Sequence, residues 1–143
     1  MSDIKFRAWD IENNCLFDDN WNLSIQPEGV LFGEFDNDGW FPLDKSQYSL
    51  MQYTGLKDKN GVEIYEGDIV YYENVKGHHQ KCQILYLDAA FVLWDTHPGY
   101  INVFSKYLGH IARSNRQYDT RAYELCEVIG NIYENPELLK ENK

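Results

Sequence analysis

This chain of 143 residues holds only three cysteines, Cys15, Cys82 and Cys126, and no CxxC pair. An odd number at wide spacing excludes a disulfide framework and predicts small, buried, reduced thiols in the cytosol. Long apolar runs are missing too. The longest, Ala89 to Trp94, is much too short to span a bilayer. The start, Met1-Ser2-Asp3-Ile4-Lys5, has no apolar core, so no signal peptide and no membrane partner are expected. Positive charge is scarce, with 13 Lys and Arg against 23 Asp and Glu and a net charge of -10. Such a balance argues against a generic binder of nucleic acid or anionic membrane. Internal repeats, low-complexity tracts and Pro/Ser-rich linkers are also absent.

What is present suits one globular domain over 1–143. Hydrophobic residues make up 43% and aromatic residues 15%, enough for a core without disulfides or metal. The acidity lies towards the N-terminus: residues 1–50 hold ten acids and three bases, whereas 101–143 hold six of each.

Strand signals dominate the pattern. Ile4 to Trp9 alternates apolar and polar residues, Glu12-Asn13-Asn14 reads as a turn, and Cys15-Leu16-Phe17 as the returning strand. The runs 30–35 and 40–43 flank Asp36-Asn37-Asp38-Gly39, where Asp-Gly predicts a hairpin. Further strands are predicted at 49–54, 62–65, 69–72, 81–87 and 90–94, with Asn60-Gly61 and Glu66-Gly67-Asp68 as corners. Strands this short, broken by turns every eight to twelve residues, imply a small barrel or sandwich. Val103, Phe104, Tyr107, Leu108 and Ile111 fall at helical spacing and predict a short helix over 103–112. Gly130, inside a late strand over 125–133, suits a bulge. Asn135 before Pro136 predicts a capped C-terminal helix over 135–143, docked through Leu138 and Leu139.

Three segments now point to one family. IKFRAWD at 4–10, LMQYTGLKDKNGVEIYEGDIV at 50–70 and EVIGNIYENPELL at 127–139 together resemble the YopX family of phage and prophage proteins. The resemblance implies a mainly β fold: a small SH3-like β-barrel over 49–134, an additional N-terminal β layer over 1–48, and one or two short helices. It also implies a phage or prophage origin and work in the bacterial cytoplasm. It brings no established activity, no cofactor and no catalytic residues.

Physically, the shared motif reads as structure. Gly55, Gly61 and Gly67 stand where positive φ or close backbone approach is expected. Asp58 and Asp68 are placed to accept hydrogen bonds from turn amides. Tyr53, Ile64, Tyr65, Ile69 and Val70 would fill the core, and Trp9, Ile129 and Ile132 would join the chain ends to it.

Candidate chemistry is sparse. His78, His79 and Cys82 form a partial metal set with no second half-site, and a solvated turn is the plainer reading. Asp18, Asn20 and Asn22 begin like a calcium loop, but Leu23 stands where glycine is needed and Gly29 where the bidentate glutamate belongs. No nucleophile elbow, Walker loop or HExxH motif occurs, so no enzymatic activity, metal or cofactor is expected. Arg113, Arg116, Tyr118 and Arg121 interleave bases with an aromatic and give an alternative reading as a nucleic-acid-binding regulator. The aromatic load of 11 Tyr, 7 Phe and 4 Trp exceeds what a core this size needs. Tyr71, Tyr72, Tyr86, Trp94 and Tyr100 are the expected exposed surplus. The expectation is a non-enzymatic accessory protein acting by contact with itself, as a homo-oligomer, or with a host protein. In a minor variant, its acidic surface occupies a basic nucleic-acid site on that protein.

Overall fold

A computed structural model describes residues 3–73, 77, 79–87, 90–94, 101–103 and 126–142. The fold is mainly β with curled, half-barrel sheets and almost no helix, as the alternation predicts. The chain divides into two compact units: residues 6–51 form one, and residues up to 5 together with those from 52 onward form the other. The change of unit falls inside one long strand.

The N-terminal unit is built from hairpins. β1 (Phe6–Asp10) pairs antiparallel with β2 (Cys15–Leu16), placing Trp9 opposite Leu16. Asp10 closes the intervening turn by accepting the Asn13 amide at 3.0 Å and its side-chain NH2 at 2.7 Å. β3 (Trp21–Ile25), β4 (Leu31–Phe35) and β5 (Phe41–Pro42) form a three-stranded sheet in that order. Successive side chains point to opposite faces, so the pairs Trp21–Phe35, Leu23–Gly33 and Ile25–Leu31 share one apolar face. Phe41, opposite Gly33, lies on it too. Asn22 and Glu34 occupy the other face and bond to each other at 3.1 Å. The apolar face joins a core of Ala8, Leu31, Leu43 and Tyr48.

Gly33 is required by that packing. A Cβ there would stand 2.9 Å from Cζ3 of Trp21. The hairpin after β4 turns two residues earlier than the Asp38-Gly39 signal suggests. Asp36 (φ 51°) and Asn37 (φ 61°) hold the left-handed pair, and the Asp38 amide donates to the Phe35 carbonyl at 3.1 Å. These are the angles of a turn whose twist matches a β-ribbon, and the β4–β5 register, with Gly33 opposite Phe41, leaves one residue more than a two-residue loop.

In the second unit, β6 (Tyr48–Lys57), which begins in the first unit, pairs with β7 (Glu63–Tyr65). Gly55, at φ 82°, sits where that register shifts, so it serves a strand irregularity and not a turn. A five-stranded sheet follows, in the order β11 (Ile101–Val103), β10 (Ala90–Trp94), β9 (His79–Leu87), β8 (Asp68–Glu73), β12 (Cys126–Asn131). Its core holds Ile64, Val70, Tyr72, Cys82, Ile84, Leu93 and Cys126. Removing each aliphatic chain among them from water stabilises the fold by about 1.5–3 kcal/mol.

Several local expectations change. Val103 is in a strand, and the remainder of the helix predicted over 103–112 lies outside the described residues. The C-terminal element is a 3-10 helix, Pro136–Asn142, packed on β9, with Leu138 and Leu139 half-buried. Asn135 does not cap it; its side-chain oxygen turns back towards the Asn131 amide at 3.4 Å. Asn131 organises the turn instead, accepting the Tyr133 and Glu134 amides at 3.0 and 2.9 Å. Gly130 does sit at a bulge against β8, and a Cβ there would lie 2.8 Å from Cγ of Asn135.

Candidate functional site

The motif carboxylates are structural ties. Asp58, only 6% exposed, accepts the amides of Asn60 at 2.8 Å and Val62 at 2.9 Å through one oxygen. Its other oxygen accepts the amide of Val128 on β12 at 2.9 Å. One side chain therefore forms the β6–β7 turn and fastens it to the far end of the chain. Gly61 completes the turn at φ 82°, its amide donating to the Asp58 carbonyl. Asp68 accepts the Tyr65 amide at 2.8 Å, and Gly67, at φ 84°, donates to Ile84 and accepts from Ile132. Ile64, Ile69 and Val70 are fully buried, Tyr53 and Trp9 nearly so, and Tyr65, Ile129 and Ile132 are half-buried.

A polar cluster lies beside this frame. Lys5 Nζ meets Glu63 Oε1 at 2.5 Å and stands 5.2 Å above the Tyr53 ring, while the Tyr65 hydroxyl donates to Glu63 Oε2 at 2.9 Å. The hydrogen bond to Glu63 raises the Lys5 ammonium pKa, and the bonds from Lys5 and Tyr65 lower that of Glu63. Burial pushes the Tyr53 hydroxyl up. These charges answer one another at the surface, and the cluster anchors the N-terminal segment.

The metal candidates do not assemble. Cys82 is buried in the apolar core and the exposed His79 ring stacks on Tyr71 at 5.6 Å; His78 lies outside the described residues. Asp18 holds its own turn by accepting the Asn20 amide at 3.0 Å, and Asn22 donates to Glu34. Among the described residues no three His, Cys, Asp or Glu side chains converge on a metal position. Of the thiols, Cys82 and Cys126 are buried as expected, but Cys15 is exposed on its two-residue strand. Arg113, Arg116, Tyr118 and Arg121 lie outside the described residues. No helix among the described residues is long and apolar enough to cross a membrane.

Surface aromatics are the remaining feature. Tyr86 and Trp94 are exposed as expected, Tyr71 is half-buried, and Tyr100 is outside the described residues. Tyr72 is the exception: it points into the core and is 6% exposed, because alternation along β8 places it on the covered face. The larger concentration is in the N-terminal unit, at the end of its three-stranded sheet. Trp21 sits at the centre, with ring centroids of Phe17 and Phe35 at 5.1 Å and of Phe41 at 6.0 Å. Phe35 and Phe41 keep 40% and 41% of their surface in solvent, and Trp40 beside them keeps 52%. A groove of about 360 Å³ opens in the same unit between Leu23, Ile25, Leu31 and Leu50, with Arg7 its charged residue. It holds no pair of titratable side chains suited to acid–base work. What this unit offers is apolar contact area.

The comparisons with known proteins agree along the length of the chain. A family model described as YopX protein matches residues 5–140. The crystal structure of protein yopX from Bacillus subtilis is similar, with 22% identity, a TM-score of 0.62, and coverage of 97% of this chain and 99% of that one. The crystal structure of protein EF1440 from Enterococcus faecalis is 31% identical, with a TM-score of 0.51 and the same coverage of 97% and 99%. No curated protein matches the chain.

Proposed function

This chain belongs to the YopX family, and on that premise we propose that it works by protein–protein contact and carries out no chemical step of its own. The proposal includes an origin in a phage or prophage and a site of action in the bacterial cytoplasm. The partner is a host protein or a further copy of the chain. The observation that carries the reading is the aromatic end of the N-terminal sheet, where Phe35 and Phe41 stay in water against Trp21, and Trp40, next to Phe41 in the chain, is exposed as well. Exposed aromatic side chains in a cluster are the residues that anchor interfaces.

The test is a photoactivatable phenylalanine analogue placed singly at Trp40 and Phe41 of the full chain, in cells that carry its gene naturally. The same analogue at Glu28, in the turn at the opposite end of the β3–β4 hairpin, and at Lys140, on the C-terminal 3-10 helix, serves as control, both positions being exposed. Discrete protein adducts from 40 and 41 and none from 28 and 140 are expected. Identical patterns at all four positions, or no adduct, refute the reading. Light scattering separates the two partners: a multiple of 16.9 kDa identifies self-association.

A further inference from the structure

Resting on that reading, we infer that the aromatic end of the N-terminal unit docks a basic, apolar protein segment, one that presents apolar side chains with lysine or arginine beside them. Trp21 and Phe35 form the last pair of the β3–β4 ladder. The turn that precedes Trp21 and the turn that follows Phe35 therefore leave the sheet at the same end. The first carries Asp18 and Asp19, the second Asp36 and Asp38, and all four are exposed. No Lys, Arg or His occurs between Arg7 and Lys45, against nine Asp and Glu in that stretch. Within residues 8–44, then, the aromatic patch is bordered by acids and by no base.

The two turns are locally fixed. The Trp21 amide donates to the Asp18 carbonyl at 3.1 Å, and the Asp38 amide donates to that of Phe35 at 3.1 Å. Little ordering is then needed when a partner arrives, which favours affinity. The aromatic rings supply desolvation, and they also attract guanidinium or ammonium groups laid over their faces. The carboxylates speed encounter with a cationic partner and reject wrong ones. Nucleic acid meets repulsion here, since its phosphates face four carboxylates. The same face on a second copy meets it as well, because a two-fold contact would set these aspartates against each other.

The probe is a labelled peptide of alternating lysine and phenylalanine, titrated against the full chain by fluorescence anisotropy. Its companions replace every phenylalanine by serine or every lysine by glutamate. Both companions are expected to bind at least about tenfold more weakly. The double variant D36N/D38N, placed on an exposed turn where folding is undisturbed, should weaken the lysine–phenylalanine peptide severalfold at low salt and flatten its salt dependence. The double variant E28Q/E137Q removes as much charge elsewhere and should leave binding within about twofold. Phe41→Ser should weaken it as well. Equal binding of the serine peptide, or an equal loss in E28Q/E137Q, overturns the inference in favour of non-specific attraction. A dimer that Phe41→Ser dissolves overturns it in favour of a second copy. A protein crosslinked at position 40 whose binding ignores both salt and D36N/D38N overturns this inference alone and leaves the contact reading standing.

Discussion

Replacing Asp58 by alanine tests how much of the tie between the β6–β7 turn and the last strand rests on its carboxylate, beside the Lys59 amide on the Cys126 carbonyl at 3.1 Å and the exposed Lys59–Glu127 pair at 3.1 Å. The side chain accepts three amide hydrogen bonds, from Asn60, Val62 and Val128. A hydrogen bond to a charged group contributes about 1.5–3 kcal/mol, and a donor left buried costs a similar amount. The three are not equal. Asn60 and Val62 are exposed, so water replaces much of what their amides lose, and about 0.5–1 kcal/mol each is reasonable. Val128 is half-buried within the five-stranded sheet and keeps most of the penalty. The sum is a loss of about 3–4 kcal/mol, a large share of the stability of a typical domain. Asp58→Asn is not benign either: its NH2 group must face one of three donors, so about 2 kcal/mol is expected. Urea unfolding followed by far-UV circular dichroism measures the loss, and amide exchange at Val128 localises it. A loss below 1 kcal/mol in Asp58→Ala, or Val128 exchange no faster than its neighbours, would refute the argument that this carboxylate is the tie.

Three further outcomes follow from the geometry. Gly130→Ala should cost about 1–3 kcal/mol, since its Cβ would fall on the Asn135 side chain, and Asn135→Gly in the same chain should recover part of that on thermal melting. Burial pushes the Asp10 carboxyl upward, but hydrogen bonds from Asn13 and Glu12 outweigh it and leave the pKa below the ordinary 3.8. Its contribution is thus present above pH 3.8 and is lost as pH falls through the lower folded value. Asp44 and Glu63, also lowered, act in the same sense. Melting temperature should therefore drop as pH falls from 3.8 towards the lower folded value, and Asp10→Asn should flatten the drop; an unchanged acid limb counts against the assignment. Finally, a thiol reagent such as a maleimide should label Cys15 alone in the native protein, with Cys82 and Cys126 reacting only on unfolding. Fast labelling of all three would place the core elsewhere.

Much of the strand plan was legible because hairpins are local. The β1–β2 hairpin, the Asn60-Gly61 corner and the Gly130 bulge land where their patterns indicated, but the alternation from Ile4 to Trp9 does not hold in burial: Ile4 and Phe6 are exposed, whereas Ala8, Trp9 and Asp10 are all buried. Asp58 was readable only in half. Its own turn is local, whereas Val128 lies 70 residues on and no spacing announces it. Gly33 was hidden for the same reason, since what demands a glycine there is the Trp21 ring from the next strand. Tyr72 looked like surface because its neighbour Tyr71 is aromatic too; only the pairing of β8 between β9 and β12 decides which of the two is covered. The exposure of Phe35, Trp40 and Phe41 had one available signal, the absence of any base from Arg7 to Lys45, which marks a stretch where acids border apolar runs without internal ion pairs.

The N-terminal unit is an insertion in the sense of chain order: the second unit supplies residue 5 just before it and residue 52 just after it. Within the second unit the Tyr53 amide donates to the Lys5 carbonyl at 2.8 Å, so the two chain segments that flank the excursion are clasped to each other. The entropy of closing such a loop grows only with the logarithm of its length. Residues could be added to or removed from this excursion at small thermodynamic cost, while the clasp, the Asp58 tie and the buried sheet persist. The arrangement divides labour along the chain. A base closed at residues 5 and 52 tolerates a change in the length of the excursion between them without any change to its own core.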